Sequence, residues 1–368
     1  MSYEEASSEV EEFSKTGVSI STTRRKTLAN GFACEEYRQE QAGELEEKGT
    51  EETEKSDKVM QLSADGCFIA LTDGQWREVK TLLVGEVQTQ WDEKQHKHVA
   101  TTSDLSYVSS SETVREFEKV TTVEVVERGV GNAKEVISLN DGASWIQSVT
   151  DYHCPDAVRI LDLRHAQEYL ADAGKAVFDE QSDSFRSWFT QATDRLVNKP
   201  PQQTLSRLQL LAKQAPDEER ASIVEDAHRY LNTRKAMIDY PHFRQQPYPI
   251  GSGAIESAHK HVVQARMKQA GMRWKLENVE GMLCLRNLIA NDRWHSGWDD
   301  ILSYRIAQRW VTSPESASPP VSPPVTLDSL AALPEPPSSS DSHTEKQPYK
   351  PSDDHPWKLG IYPDPRFR

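Results

Sequence analysis

Three acidic side chains stand where phosphoryl-transfer chemistry would need them. Asp65 lies inside the apolar stretch Ala64-Asp-Gly-Cys-Phe-Ile69, Asp141 closes a second apolar stretch, and Glu256 follows the glycine-rich Gly251-Ser-Gly253 at the start of a helical pattern. Acids at strand ends project from one rim of a sheet, and a helix laid across that rim can add a third. Carboxylates gathered in this way repel one another unless cations neutralise them, and oxygen-only ligands suit magnesium or manganese. Two such ions about 3.5–4 Å apart can activate an attacking hydroxyl and stabilise the leaving oxygen of a phosphodiester. Each acid also has an ordinary reading. Asp65-Gly66 and Asn140-Asp141-Gly142 are turn sequences, and Glu256 near a helix start can complement the helix dipole or form a capping box with Ser252 or Gly253.

The elements that must position these acids are visible in outline. Leu62–Ala70, Glu78–Val87 and Lys119–Val126 are rich in β-branched or apolar residues and predict an antiparallel meander, with Asp73-Gly74 as a hairpin turn. Thr89–Asp104 is polar and reads as an extended loop, and Glu112–Lys119 as a short helix. Lys134–Leu139 and Ala157–Leu161 predict two further strands, closed by Asp141 and Asp162 and each followed by a helical pattern, which is the βα arrangement of a mixed or parallel sheet. Residues 166–245 read as almost wholly helical, a helical insertion between the last strand and the helix that carries Glu256. That helix is expected from about Ala254 to Gln269, with another from Glu277 to Ala290.

Composition sets the outer limits. Only 36% of the 368 residues are apolar, so part of the sequence is expected outside a core. Residues 312–368, with Pro319-Pro320, Pro323-Pro324 and Pro336-Pro337, predict a Pro/Ser-rich disordered tail. No apolar run is long enough to span a bilayer and no secretory signal opens the sequence, so a cytoplasmic protein is expected. Cys34, Cys67, Cys154 and Cys284 form no CxxC pair, which fits reduced thiols.

The net charge of −15 argues against nucleic acid until its distribution is considered. Residues 1–60 carry 15 acids against 8 bases, which predicts for residues 1–58 an acidic segment, partly disordered or a remnant DNA-binding region. A capped helix near Gly17–Lys26, or the trace of a helix-turn-helix, fits there too. Residues 259–293 reverse the sign, with seven bases against three acids. Lys260, Arg266, Lys268, Arg273 and Lys275 follow Glu256 directly and are the candidate phosphate contacts, a solvated helix face being the plainer reading. Trp274, Trp294 and Trp298 are either core residues or platforms for splayed bases.

Three segments carry a family likeness. Pro249-Ile-Gly-Ser-Gly-Ala-Ile-Glu-Ser-Ala-His-Lys260, Arg266-Met-Lys-Gln-Ala-Gly-Met-Arg-Trp274 and Met282-Leu-Cys-Leu-Arg-Asn-Leu288 resemble the C-terminal signature of the ISKra insertion-sequence transposases, related to the Mutator group of DDE enzymes. Asp354-His-Pro-Trp357 is also similar to endings in that family. The resemblance implies a ribonuclease-H-like α/β fold: a mixed five-stranded sheet flanked by helices, with an all-α insertion before the last catalytic helix, within residues 59–311. It implies a magnesium- or manganese-dependent DNA transposase using two ions, with Asp65, Asp141 and Glu256 as catalytic metal ligands. Asp162 and His165 resemble the Asp/Cys-x-x-His motif of Mutator-type enzymes; they support the site, or Asp162 replaces Asp141 as the second ligand. Double-stranded DNA at element ends and target, self-association and a place on the nucleoid follow from the same resemblance. Family members carry a longer N-terminal region than the 58 residues here, which keeps a non-cutting, domesticated DNA-binding protein as the alternative.

Overall fold

The computed structural model describes residues 2–49, 54–93, 96–251 and 253–311. The predicted Pro/Ser-rich tail and the Asp354–Trp357 segment lie outside the described residues.

Five strands make one mixed sheet in the order β3-β2-β1-β4-β5, and the register between them places the candidate site. β1 (Val59–Ala70) and β2 (Trp76–Asp92) form an antiparallel hairpin, and β3 (Lys97–Ser110) continues it antiparallel to β2. β4 (Glu135–Asn140) then runs parallel to β1, and β5 (Val158–Leu161) parallel to β4. Strand β2 is thus antiparallel to the other four. This mixed α/β arrangement is compatible with a ribonuclease-H-like fold.

Alternation divides β1 between two layers. Met60, Leu62 and Ala64 pack against α3 (Val114–Glu127) and α4 (Ser144–His153) through Phe117, Val125, Ile146 and Val149. Cys67 and Ile69 point the other way, toward the C-terminal helices, and Asp65 shares their parity.

Two expectations fail in this region, for one reason. Lys119–Val126 is helix, within α3, and the third strand is β3, drawn from the segment expected to be a loop. The β-branched run suggested a strand, but Thr113 caps the helix by accepting the Glu116 N–H at 3.3 Å, and Phe117, Val120, Thr121, Glu124 and Val125 bury one helical face. Strand β3 looked polar because β1 stops pairing with β2 at Met60 and Glu86, so the hairpin beyond has little apolar surface to cover.

Strand β3 lies at the sheet edge, and its outward backbone is satisfied by side chains. Asn287 on α12 (Val279–Ala290) and Asn291, the residue that caps its end, each accept a backbone N–H and donate to a backbone carbonyl, of Ser109 and Tyr107 respectively, at 2.8–3.2 Å. The two amides act as a substitute strand.

The N-terminal segment is helical, and its second helix starts after the Ser19 cap, within the stretch where a capped helix was expected. Residues 3–14 and 20–48 are helices, α1 (Tyr3–Ser14) and α2 (Ile20–Lys48), and α2 packs on α12. The helices touch where both lack a side chain: a Cβ on Gly31 would lie 2.7 Å from the Gly281 carbonyl oxygen. One turn away from Gly281, Cys284 packs with Cys34, and all four cysteines are free and buried. The Arg38 guanidinium reaches Glu280 at 3.3 Å, and that buried carboxylate also accepts from the Ser110 hydroxyl at 2.8 Å and from the Ser111 N–H. One buried ion pair therefore joins α2, α12 and the end of β3.

The helical insertion is as expected: α5 (Leu163–Lys175), α6 (Asp183–Asn198), α7 (Pro201–Ala212), α8 (Glu218–Thr233) and α9 (Tyr240–Gln245). Leu170, Leu196, Leu208, Val224 and Leu231 share one core with Ile137, Leu139 and Ile160 of β4 and β5, so the insertion is built onto the sheet. The Glu256 helix is broken: α10 (Gly253–Ala258) passes through a π turn, His259–Gln264, into the single turn α11 (Ala265–Met267). The C-terminal helix α13 (Trp294–Val311) follows α12. Among the described residues no helix is long and apolar enough to cross a membrane.

Candidate active site

The β1–β4 register brings the two aspartates level. Gln61 pairs with Ile137 and Leu62 with Ser138. Continued along the two parallel strands, that register sets Asp65 opposite Asp141, on the same face. The ladder itself ends at Leu62, and Asn140 takes over: its side-chain oxygen accepts the Ala64 N–H at 2.6 Å, while its amide donates to the Ser138 hydroxyl at 2.6 Å. Sequence reasoning missed Asn140, because Asn-Asp-Gly reads as a turn; its signal is a buried amide beside a candidate acid.

The charges of the other acids bear on Asp65. The Asp65 carboxyl is pushed up to about 6, chiefly by burial and then by the charges of Asp141, Glu256 and Asp162, against a 2.7 Å hydrogen bond from the Gly66 N–H. Asp141 Oδ1 accepts the Ala143 N–H at 2.8 Å, turning the backbone into α4.

Asp162 has a structural task. It is buried, and its Oδ1 caps α5 by accepting the N–H groups of Arg164 at 2.5 Å and His165 at 3.1 Å. His165 turns toward Glu168, with Nδ1 at 3.3 Å from the carboxylate, and that partner raises it above the usual histidine range. Its ring meets Tyr169 and Tyr230 edge to face.

Glu256 comes from the far side of the rim. Ile255 and Ala258 anchor α10 in the core with Ile69, Val79 and Leu83 of the sheet. The π turn leaves backbone carbonyls without their usual helical partners, and the Arg286 guanidinium serves two of them, donating to Val262 at 3.0 Å and to His261. His259, on the turn, is buried with Nδ1 3.4 Å from Asp65 Oδ2, and its Nε2 has no partner. Burial, with Lys268 adding to it, holds the imidazole below its ordinary value against an opposing hydrogen bond with the Asp65 backbone. Glu256 itself pairs with Arg164 at 3.1 Å.

The donor chemistry fits a hard divalent cation. Asp65, Asp141 and Glu256 offer carboxylate oxygens; burial first, and then the charges of the neighbouring acids, raises Asp65, while Glu256 is paired with Arg164. Among the described residues no three carboxylates, histidines or cysteines stand close enough to hold one ion, and Glu256 is turned to Arg164.

A family model described as "Uncharacterised protein family (UPF0236)" matches residues 1–296. The protein belongs to that family. No curated protein matches it. The UPF0236 match begins at residue 1 and so takes in α1 and α2 together with the sheet, in keeping with the packing of α1 on α2 and of α2 on α12.

The five candidate phosphate contacts of this UPF0236 protein divide into two kinds. Lys260, Lys268 and Arg273 are exposed; Lys275 is exposed too but pairs with Glu277 at 3.6 Å. Arg266 is half-buried, its guanidinium 4.9 Å from the Tyr3 ring and 5.0 Å from the Trp274 ring, where it ties α1 to the body of the domain. Trp274 is buried and extends the sheet, its N–H donating to the Ala70 carbonyl at 3.0 Å and its carbonyl accepting from Thr72 at 2.9 Å. Trp294 and Trp298 stack on each other with centroids 5.5 Å apart.

Proposed function

We propose that this protein is a DDE-type DNA transposase, similar to the ISKra group, that hydrolyses a phosphodiester at an element end and joins the freed 3′-hydroxyl to target DNA. The observation that carries the reading is the register-matched pair Asp65 and Asp141 on one rim of the sheet, with Glu256 bearing on the same carboxyl from α10. Asp65, Asp141 and Glu256 would hold two magnesium or manganese ions; bound there, these supply Lewis acidity for in-line displacement at phosphorus. The protein's own groups do the rest. Asn140 and the α10 packing hold the backbone that carries the acids, and Glu256 must leave Arg164 to join the two aspartates around an ion. Exposed Lys260, Lys268 and Arg273 lie beyond Glu256 in sequence and offer charge to DNA phosphates. Asp141 is preferred to Asp162 as second ligand because the latter caps α5 from a buried position. Self-association on paired DNA ends belongs to the same reading.

The test is nicking and strand joining, with magnesium, on a supercoiled plasmid carrying the DNA that flanks the coding region. Wild type is expected to cut and join, and Glu256→Gln and Asp65→Asn to lose activity by at least about 10³-fold. Full activity in Glu256→Gln would sink the reading. Asp141→Asn set against Asp162→Asn identifies the second ligand. A second reading, a transposase-derived protein that binds DNA without cutting, is favoured by the Arg164–Glu256 pair. Retained DNA binding with no cleavage by wild type would support it.

A further inference from the structure

The helical insertion reaches back to the loop that carries Asp141. The Tyr230 hydroxyl, near the end of α8, donates to the Asp141 carbonyl at 2.7 Å. One turn on, Arg234 Nη2 donates to the next carbonyl, of Gly142, at 3.0 Å. These two groups come so close because residue 142 has no side chain. A Cβ there would lie 2.8 Å from Arg234 Nε and 2.9 Å from the Tyr230 hydroxyl, and its φ of 80° suits glycine.

The clasp is itself held rigid. Tyr230 stacks on Tyr169 of α5 with centroids 3.9 Å apart and planes 11° from parallel. The Arg234 guanidinium lies over the Tyr230 ring as well, 3.8 Å from its centroid. Two successive carbonyls bonded to one helix end fix the Asp141–Gly142 and Gly142–Ala143 peptides in turn, since rotating either one breaks its own bond.

We propose that Tyr230 and Arg234 are positioning residues for Asp141, so that the insertion sets the geometry of the carboxylate site. The inference rests on Asp141 being a metal ligand. Supporting groups around a ligand typically change metal affinity by about 10–100-fold when removed.

The experiment is manganese binding by the full-length protein, followed by electron paramagnetic resonance, with thermal unfolding measured in metal-free buffer. Tyr230→Phe keeps the stacked ring and removes only the donor. It is expected to weaken manganese binding on the order of 10-fold with little change in unfolding temperature. Arg234→Gln removes the second bond and is expected to do the same, so a folding defect in one variant does not decide the matter. Arg229→Ala, on an exposed part of α8, is expected to leave both measurements unchanged. Wild-type binding with unaltered affinity in both Tyr230→Phe and Arg234→Gln overturns the inference alone. No manganese binding by wild type overturns the metal reading and the inference with it.

Discussion

The side-chain oxygen of Asn140 accepts the backbone N–H of Ala64 at 2.6 Å, continuing the β1–β4 ladder past its last backbone pair. It acts one residue before each aspartate, so it fixes the offset between them. Replacing Asn140 with Leu should leave a buried N–H unpaired, at a cost of about 1–3 kcal/mol. Urea unfolding should report that loss. Any DNA cleavage should fall by more than the stability change explains, because Asp65 and Asp141 lose their shared register.

The basic residues should separate by salt dependence. Lys260→Ala, Lys268→Ala and Arg273→Ala are each expected to lower the slope of log K against log salt for duplex DNA by about 0.9 per lost phosphate contact. Arg266→Ala should instead lower the unfolding temperature, because its guanidinium packs between Tyr3 and Trp274. Equal slopes in all four variants would remove these side chains from the DNA interface.

The contact between α2 and α12 should tolerate no added carbon. Gly31→Ala places a Cβ 2.7 Å from the Gly281 carbonyl oxygen, and Gly281→Ala places one 2.8 Å from the Gly31 carbonyl carbon. Backbone on both sides leaves only helix separation as relief, so each is expected to destabilise by about 1–3 kcal/mol. The double variant should cost less than the sum, since the helices part once. Full additivity in chemical denaturation would mean that the sites relax independently.

Asp65 should destabilise the metal-free protein at neutral pH. Its carboxyl is pushed up to about 6 in the fold, so the fold favours the protonated form. The penalty is absent below its ordinary value, grows as pH rises through 6 and is complete above that. Asp65→Asn is therefore expected to melt about 2–4 °C higher than wild type at pH 7.5 without metal, and to lose that advantage near pH 4. Manganese should raise the melting temperature of wild type and not that of the variant. A variant less stable than wild type at pH 7.5 would contradict the cost of burying this carboxylate among other acids.

How far the sequence carried depended on whether a residue's neighbours were local. The spacing of 76 between Asp65 and Asp141 equals the β1–β4 register offset, which the strand readings alone did not supply because the pairing of those strands is a long-range contact. Long-range contacts were not legible. Lys119–Val126 is rich in β-branched residues and became helix because α4 and the sheet offered a surface for Phe117 and Val125. The full length of helix α2 was not legible beyond the capped start near Gly17–Lys26, because it buries small residues, Gly31, Ala33, Cys34 and Ala42, and so shows no stripe of large apolar side chains. Arg266 looked like a phosphate ligand until Tyr3, more than 260 positions away, supplied the ring it packs on.

His153 makes the opposite acid-side prediction, remote from the carboxylates. Its ring closes α4 against α3, with Nε2 2.9 Å from the Thr121 hydroxyl, and burial pulls it down to about 4. A histidine held below its ordinary value contributes stability that is complete above about 6.5 and is lost as pH falls toward 4, because the unfolded state takes up the proton first. Between pH 7.5 and 4.5 this group alone should remove on the order of 1–3 kcal/mol, the lower end allowing for partial solvent screening. His153→Gln keeps a polar partner for Thr121 and does not titrate. The stability difference between wild type and variant, followed by urea unfolding across that range, should therefore move against wild type as pH falls. A difference that stays constant from pH 7.5 to 4.5 would show that His153 keeps an ordinary titration in the folded protein.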